Sequence, residues 1–374
     1  MANERYGIFY LKTGGGHYSG AKSIAEKLKT LDPNASFVLC DGFDNSPAGV
    51  RFFFETGYSV TANHFPLGFT LFYQLTNFPK VQSLLYKRFS SVVRTHVRRQ
   101  IVQGQFTKIV CTHEIISPII KQVCDELKLS ISVVSVVMDP FTAPSIWFFE
   151  KDMKLIVFSE YLKKQAVEKY GVPAKNIFKA APIFSEKFSA PLPETEKREL
   201  KQSFGIPQDK KVLLIAGGGE GLKGADKILS VFLKNNFDEQ IIIVCGKNKV
   251  LKQKLEKIVQ KHKAENVLIF GFVTIMYELI NLADCVVSKG GPGTVMEVLS
   301  LKKPLIISDF IRHQEWGNVF FVQQNNAGFL IPKPKDIHKK VMELFNGETM
   351  PPKPYEITNG LPMIAEYIHN YRKR

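Results

Sequence analysis

The chain has 374 residues, 45% of them hydrophobic, and a formal net charge of +15 at pH 7. One hydrophobic core rarely serves so long a chain, so the length predicts two domains, and the composition excludes a disordered or collagen-like protein. The excess of positive charge predicts an acidic partner such as phosphate, nucleic acid or anionic lipid.

The N-terminal segment runs directly into an apolar strand pattern at Tyr6–Leu11, which predicts that no secretory signal is present. The longest apolar stretch, Phe65–Phe78, is interrupted by Pro66 and by polar residues. It is also shorter than the roughly 20 apolar residues that span a bilayer. The sequence therefore argues against a membrane span and leaves surface binding open.

Short β-branched and aromatic runs alternate with helical patterns along the whole chain. In the first half the predicted strands are Tyr6–Leu11, Phe37–Asp41, Lys108–Cys111, Ile131–Val137, Leu155–Phe158 and Asn176–Ala180. In the second half they are Val212–Ala216, Ile241–Cys245, Val267–Phe270, Cys285–Ser288, Leu305–Ser308 and Gly328–Ile331. Strands that alternate with helices predict an α/β fold in which each half has a parallel sheet covered on both faces.

A polar stretch with two prolines predicts a linker at residues 190–200. We therefore expect a Rossmann-like domain over residues 1–189, a second one over residues 201–354, and a C-terminal helix within residues 355–374. This helix should pack on an existing core through Leu361, Ile364, Ala365 and Ile368.

The cysteines are scattered singly along the chain, which predicts reduced core residues and neither a disulfide framework nor a zinc-binding pattern. They are Cys40, Cys111, Cys124, Cys245 and Cys285.

A glycine-rich turn, Gly14-Gly15-Gly16-His17, joins the first predicted strand to a helical pattern that begins at Ala21. Such a turn exposes backbone N–H groups at the N-terminus of a helix, where an anion is favoured. His17 stands where a dinucleotide-binding fingerprint has a small spacer, so the motif is a different one. The alternative is a solvated histidine in an ordinary surface turn.

A second turn, Gly217-Gly218-Gly219-Glu220-Gly221, follows the strand Val212–Ala216. So many glycines at the end of a strand predict a close approach of the backbone to a ligand. A merely flexible turn is the alternative.

A third turn runs from Ser288 to Thr294 and leads into a helical pattern with Glu297 in its first turn. A carboxylate in this position offsets the helix dipole in one interpretation and accepts hydrogen bonds from ribose hydroxyls in the other. A fourth cluster, His313–Asn318, supplies the donors and acceptors that suit the hydroxyls of a sugar. All four clusters follow strand ends, where open α/β sheets bind ligands.

In these blocks the sequence resembles the monogalactosyldiacylglycerol synthases and processive diacylglycerol β-glucosyltransferases of glycosyltransferase family 28. The resemblance is carried by residues 14–21, 217–221, 244–248, 271–273, 289–297 and 314–318. It implies a GT-B fold, in which two Rossmann-like domains face a central cleft and the C-terminal helix packs back on the N-terminal domain. It also implies an inverting transfer without a metal or other required cofactor, with a UDP-sugar as donor substrate.

By resemblance, the C-terminal half binds the donor, with Glu297 as ribose ligand, Gln314 and Glu315 as sugar ligands, and the glycine-rich turn as diphosphate cradle. The implied donor-binding set is Gly16, Gly217, Gly218, Gly219, Glu220, Phe272, Val273, Lys289, Gly291, Gly293, Thr294, Glu297, Gln314, Glu315 and Asn318. His17 resembles a histidine discussed in this family as catalytic base or phosphate contact. Asp139 and His113, each after a predicted strand, are the alternatives for the base.

The segment from Gly49 to Arg99 combines many aromatic residues with arginines and has a single carboxylate, Glu55. This composition predicts contact with an anionic membrane and its lipid acceptor. The candidate contacts are Phe53, Phe69, Phe72, Arg94 and Arg98. Nucleic-acid binding is an alternative without a supporting motif, and buried aromatic residues beneath a solvated basic helix are another.

The function that these patterns and the resemblance imply together is transfer of glucose or galactose from a UDP-sugar to diacylglycerol. We expect the protein at the cytoplasmic face of a membrane, bound peripherally to its anionic surface, with no nucleic acid as partner. Three alternatives stay open: a different lipid acceptor such as a polyprenyl lipid, a sugar-nucleotide epimerase of the same fold, and a non-catalytic binding module. The choice between glucose and galactose is also open.

Overall fold

The computed structural model describes residues 3–12, 16–44, 93–312, 315–349 and 356–372. The chain divides into two compact units, one formed by Met1–Phe184 with Asn359–Arg374 and the other by Ser185–Thr358. Among the described residues, no helix has both the length and the apolar character that crossing a membrane requires.

The first unit contains a six-stranded parallel sheet with the strand order β2-β1-β3-β4-β5-β6. Its strands are β1 (Arg5–Tyr10), β2 (Ser36–Asp41), β3 (Lys108–Cys111), β4 (Ser132–Val136), β5 (Lys154–Val157) and β6 (Ile177–Lys179). Its helices are α1 (Gly16–Leu31), α2 (93–104), α3 (Ser117–Glu126), α4 (Glu160–Lys164, continued by a π-helical turn at Gln165–Lys169) and the C-terminal α12 (Leu361–Asn370). Short 3₁₀ helices occupy Ser145–Phe148 and Ala174–Asn176.

Both faces of this sheet are buried because side chains alternate along each strand. Phe9 and Leu11 contribute to the core on one face, together with residues of α2 and α3. Tyr6, Ile8 and Tyr10 point to the opposite face, where α1 and α12 cover them. The near-continuous apolar strands of the sequence are therefore those of a doubly covered parallel sheet.

The C-terminal helix α12 belongs to the first unit, as predicted. It buries one apolar face, which consists of Leu361, Ile364, Ala365 and Ile368. At its carboxyl end Lys108 Nζ donates hydrogen bonds to the backbone oxygens of Ile368, at 3.1 Å, and of His369. Burial lowers the pKa of this lysine to about 8. A buried side chain of β3 thus satisfies carbonyl groups that a helix end leaves without partners.

The second unit contains another six-stranded parallel sheet, with the order β12-β11-β10-β7-β8-β9. Its strands are β7 (Val212–Ala216), β8 (Gln240–Val244), β9 (Val267–Phe270), β10 (Cys285–Lys289), β11 (Leu305–Asp309) and β12 (Phe329–Leu330). Its helices are α5 (Glu194–Ser203), α6 (Ala225–Lys234), α7 (Lys249–His262), α8 (Met276–Leu282), α9 (Pro292–Ser300), α10 (Trp316–Gln324) and α11 (Pro334–Phe345). Two 3₁₀ helices lie at Glu186–Ser189 and Gly218–Glu220.

All twelve predicted strands are confirmed, with ends that shift by at most one residue. The cysteines are also as predicted, since all five are buried and free. One difference concerns residues 190–200, where the sequence predicts a linker and the structure has the start of α5. This helix has no buried residue, so it lacks the apolar periodicity by which a helix is identified in a sequence.

Substitution Lys108→Met should lower the free energy of unfolding by about 1–3 kcal/mol, because two backbone oxygens at the end of α12 lose their buried donor. Urea denaturation measures this change. The matched control is Lys29→Met on the exposed surface of α1, which should change stability by less than about 0.5 kcal/mol. Equal effects of the two substitutions would contradict a capping role for Lys108.

Candidate active site

His17 lies in the first turn of α1, directly beyond the carboxyl end of β1. Its Nδ1 is 2.6 Å from the backbone oxygen of Thr112, and the Thr112 hydroxyl lies 3.1 Å from the backbone oxygen of His17. A carbonyl oxygen accepts and never donates, so Nδ1 of His17 carries the hydrogen. Neutral His17 therefore keeps its lone pair on Nε2, the atom that can accept a proton from a substrate. Gly16 precedes it at the start of α1, and Gly14 and Gly15 lie outside the described residues.

His113 packs against His17 with a distance of 4.3 Å between the ring centroids. It is only 2% exposed, and its Nδ1 lies 3.2 Å from the backbone nitrogen of Ile115. Burial, reinforced by His17, holds the pKa of His113 well below its usual value. Its burial makes it a poorer candidate for the base than His17, which is partly exposed.

Asp139 lies beyond the carboxyl end of β4 and is partly buried. Its Oδ2 accepts a hydrogen bond of 2.9 Å from the indole nitrogen of Trp147. Of the three candidate bases, His17 and His113 therefore lie in contact with each other, whereas Asp139 is hydrogen-bonded to Trp147.

The glycine-rich turn after β7 interlocks with the turn after the neighbouring strand β8. Lys247 N donates to Gly219 O at 2.7 Å, and Asn248 Nδ2 donates to Glu220 O at 3.3 Å. Gly246 has φ +58°, and a Cβ atom there would lie 2.2 Å from Gly219 O. Only glycine fits at this position, so two strand ends together define the shape of the predicted diphosphate cradle.

Phe272 and Val273 follow β9, the next strand of the same sheet. The Phe272 ring is 65% exposed, and Lys247 Nζ lies 6.0 Å from its centroid. Val273 is partly buried. Lys247 was absent from the predicted ligands, although its position in the motif Val244–Asn248 placed it beside the cradle.

Lys289, the last residue of β10, forms an ion pair with Glu315, the N-cap of α10. Lys289 Nζ lies 2.9 Å from Glu315 Oε1, and Glu315 Oε2 accepts a hydrogen bond of 2.8 Å from Ile311 N. Asn318 Nδ2 donates to Gly290 O at 2.8 Å. Glu315 and Asn318 are each only 4% exposed, so both organise the surrounding loops. Their predicted contact with the sugar stays a prediction, and Gln314 lies outside the described residues.

Glu297 lies in the second turn of α9, so the prediction that places it in the first turn is wrong, because the helix begins at Pro292. Gly293 and Thr294 lie in the first turn, and Gly291 is the N-cap. Burial raises the pKa of the Glu297 carboxyl to about 7, and the charge of Lys187 opposes this rise. Lys187 Nζ lies 5.6 Å and 5.8 Å from the ring centroids of Phe188 and Tyr277. No sequence pattern pointed to Lys187, because only folding brings residues 187 and 297 close together.

The two predicted arginine contacts differ in their surroundings. Arg94 pairs with Glu126 and donates to Gln122 Oε1 at 3.1 Å, so its charge is partly compensated. Arg98 is exposed on the same helix, α2. The predicted aromatic contacts Phe53, Phe69 and Phe72 lie outside the described residues.

Two family models match consecutive parts of the chain. Residues 212–360 match the model for the C-terminal domain of glycosyltransferase family 28, and residues 17–180 match that for monogalactosyldiacylglycerol (MGDG) synthase. The MGDG synthase match covers strands β2 to β6 of the first sheet, and the family 28 match covers all six strands of the second sheet.

Curated relatives extend the match over nearly the whole length of the chain. A probable MGDG synthase of Glycine max is 27% identical over 94% of the chain, which spans 66% of that protein's length. A processive diacylglycerol β-glucosyltransferase of Bacillus pumilus is 32% identical over 57% of the chain and 54% of its own length.

Solved structures with little sequence identity share the fold. MurG of Acinetobacter baumannii has a TM-score of 0.58 at 14% identity, covering 99% of this chain and 100% of that one. A UDP-GlcNAc 2-epimerase of Neisseria meningitidis has a TM-score of 0.64 at 12% identity, covering 98% of each chain. The predicted GT-B class of two parallel α/β domains is thereby confirmed.

Substitution Gly246→Ala should destabilise the protein by at least about 1 kcal/mol, because the new methyl group meets a backbone oxygen and the residue has a positive φ. Thermal unfolding measures the effect. Gly219→Ala is the matched control in the facing turn, since a Cβ atom there meets nothing within 4 Å. If both variants unfold at the same temperature as the parent, the two turns are not interlocked as described.

Proposed function

We propose that this chain is an inverting glycosyltransferase that moves glucose or galactose from a UDP-sugar to the hydroxyl of diacylglycerol, forming a β-glycosyl lipid. The observation that carries the proposal is the match along almost the entire chain to MGDG synthases. The match to a diacylglycerol β-glucosyltransferase supports the same acceptor. The geometry of His17, whose Nε2 is left to accept a proton, supports the transfer chemistry independently of these relatives.

In the proposed reaction His17 is the general base. Its Nε2 accepts the proton of the acceptor hydroxyl, and the hydroxyl oxygen forms a bond to the anomeric carbon. The bond from that carbon to the diphosphate oxygen breaks, and UDP leaves with the electron pair. The Thr112 carbonyl stabilises the imidazolium that forms, because Nδ1 remains its donor.

The departing diphosphate needs stabilisation of negative charge, which the second unit supplies in this proposal. The backbone N–H groups of the turn Gly217–Gly219 and of the N-terminus of α9 are suitable donors. Lys289 adds a cation that Glu315 holds in a fixed position. Lys247 is a second cation beside the cradle, and in this proposal it also stabilises the negative charge of the departing diphosphate.

Membrane association is the remaining part of the proposal. A lipid acceptor is reached at a membrane surface, and the formal net charge of +15 favours an anionic one. The exposed Arg98 is a candidate contact on α2, whereas the charge of Arg94 is already shared with Glu126. We place the enzyme at the cytoplasmic face, where nucleotide-sugars are available.

The test of this function is incubation of the full chain with UDP-glucose or UDP-galactose and vesicles that contain diacylglycerol, with the product identified by mass. His17→Asn should lower kcat by about 10²–10⁴-fold and leave donor affinity within about twofold, because it removes only the base. Asparagine retains a side-chain N–H for Thr112. Absence of glycolipid with both donors would overturn the proposed acceptor, and a rate within a fewfold of the parent would show that His17 is no base.

A second expectation concerns Glu297, whose ionised carboxylate is the better acceptor for ribose hydroxyls. Since its pKa is raised to about 7, donor binding below that pH requires loss of a proton. The affinity for UDP-glucose should therefore rise several-fold between about pH 6 and pH 8 and then level off.

Isothermal titration calorimetry with UDP-glucose measures this dependence. UDP-glucose is preferable to UDP because its diphosphate is esterified at both ends and has no ionisation near pH 6. Glu297→Gln is the matched variant, with weaker binding that does not vary with pH. A profile that persists in this variant would assign the titration to another group.

A further inference from the structure

Three potential metal ligands meet where β1 and β3 end side by side in the first sheet. His17, His113 and Glu114 each offer one ligand atom, and these atoms all lie within 4.8 Å of one another. His17 comes from the first turn of α1, whereas His113 and Glu114 come from the loop after β3. Neighbouring parallel strands carry these loops to the same edge of the sheet.

The spacing within this cluster suits a small transition-metal ion. His113 Nδ1 lies 3.4 Å from Glu114 Oε2. Tetrahedral zinc bonds nitrogen and oxygen ligands at roughly 2.0–2.2 Å, which separates two ligand atoms by about 3.4 Å. The hydrogen bond from Ile115 N to His113 Nδ1 is long, at 3.2 Å, so a metal could replace it at small cost.

One atom of the cluster lacks the partner that its burial demands. Glu114 Oε2 is inaccessible to solvent and accepts no hydrogen bond from any residue that the structure describes. A buried carboxylate oxygen without a donor is costly, and a bound cation removes that cost.

His17 has the second interaction that metal-binding histidines usually show. Its Nδ1 donates to the backbone oxygen of Thr112 at 2.6 Å, which fixes the ring and leaves Nε2 for another partner. Histidine ligands of metals almost always donate their other N–H to a carbonyl or a carboxylate in this way.

We propose that His17, His113 and Glu114 together bind one divalent transition-metal ion of the zinc type. Two imidazoles and one carboxylate are a ligand set that zinc accepts, with a fourth position left for water. The ion would occupy the same nitrogen lone pair that is to accept the acceptor proton. If the proposed transfer function holds, zinc therefore inhibits the enzyme, and a chelator restores its activity.

The experiment is titration of the full chain with Co²⁺, the spectroscopic substitute for zinc, without donor or acceptor. We expect one Co²⁺ per chain, with the visible absorption of four- or five-coordinate cobalt, and displacement of the cobalt by Zn²⁺. Glu114→Gln and His113→Asn should each weaken binding by at least about tenfold. The matched control is His262→Asn, at an exposed histidine of α7, which should leave binding unchanged.

Three results would overturn the site: no visible cobalt absorption, equal affinity in Glu114→Gln and the parent, or a thiolate charge-transfer band, which would place the ion on a cysteine. Glu114→Gln keeps the test decisive if His113→Asn fails to fold, since Glu114 is partly exposed and the change is isosteric. Because binding is measured without substrates, its outcome is independent of the transfer assay. Metal binding without transfer would sink only the proposed function, and transfer without metal binding would sink only the site.

Discussion

The parallel direction of all the strands that the structure describes is the constraint on which both units depend. Parallel neighbours must be joined by crossovers, so each unit alternates strands with helices and buries both faces of its sheet. The same constraint brings all carboxyl ends of the strands to one edge. His17 and His113 meet at that edge of the first sheet, and the cradle, Lys289 and Glu315 lie at the corresponding edge of the second.

The loops at these edges lack regular backbone pairing, and hydrogen bonds of side chains fix their positions instead. Thr112 positions His17, Asn318 holds the turn at Gly290, and Glu315 joins Lys289 to the backbone of Ile311. A catalytic group must be held in a narrow range of positions, so these supporting contacts matter as much as the groups that meet the substrate. The burial of Glu315 fits this supporting role.

Two glutamates of the second unit, Glu297 and Glu315, lie in different electrostatic surroundings. Glu297 is enclosed enough for its pKa to approach neutrality, whereas Glu315 is paired directly with a lysine. The charge of Lys187 partly opposes the rise in the pKa of Glu297. Lys187 lies on a short 3₁₀ helix more than one hundred residues earlier in the chain. Burial thus brings the titration of Glu297 close to neutral pH, whereas Glu315 is held in place by its ion pair with Lys289.

The sequence by itself determined the twelve strands, the two-sheet class and the positions of the glycine-rich turns. It could do so because β-branched runs and glycines act locally, through backbone preference and periodicity. The C-terminal helix was also predictable from its apolar stripe, whereas α5 was hidden because it has no buried face. Only the tertiary structure decided that His17 carries its hydrogen on Nδ1, that Lys108 caps α12, and that Glu114 stands beside two histidines. Each of these facts depends on contacts between distant parts of the chain, and no local pattern encodes which side chains folding will bring together.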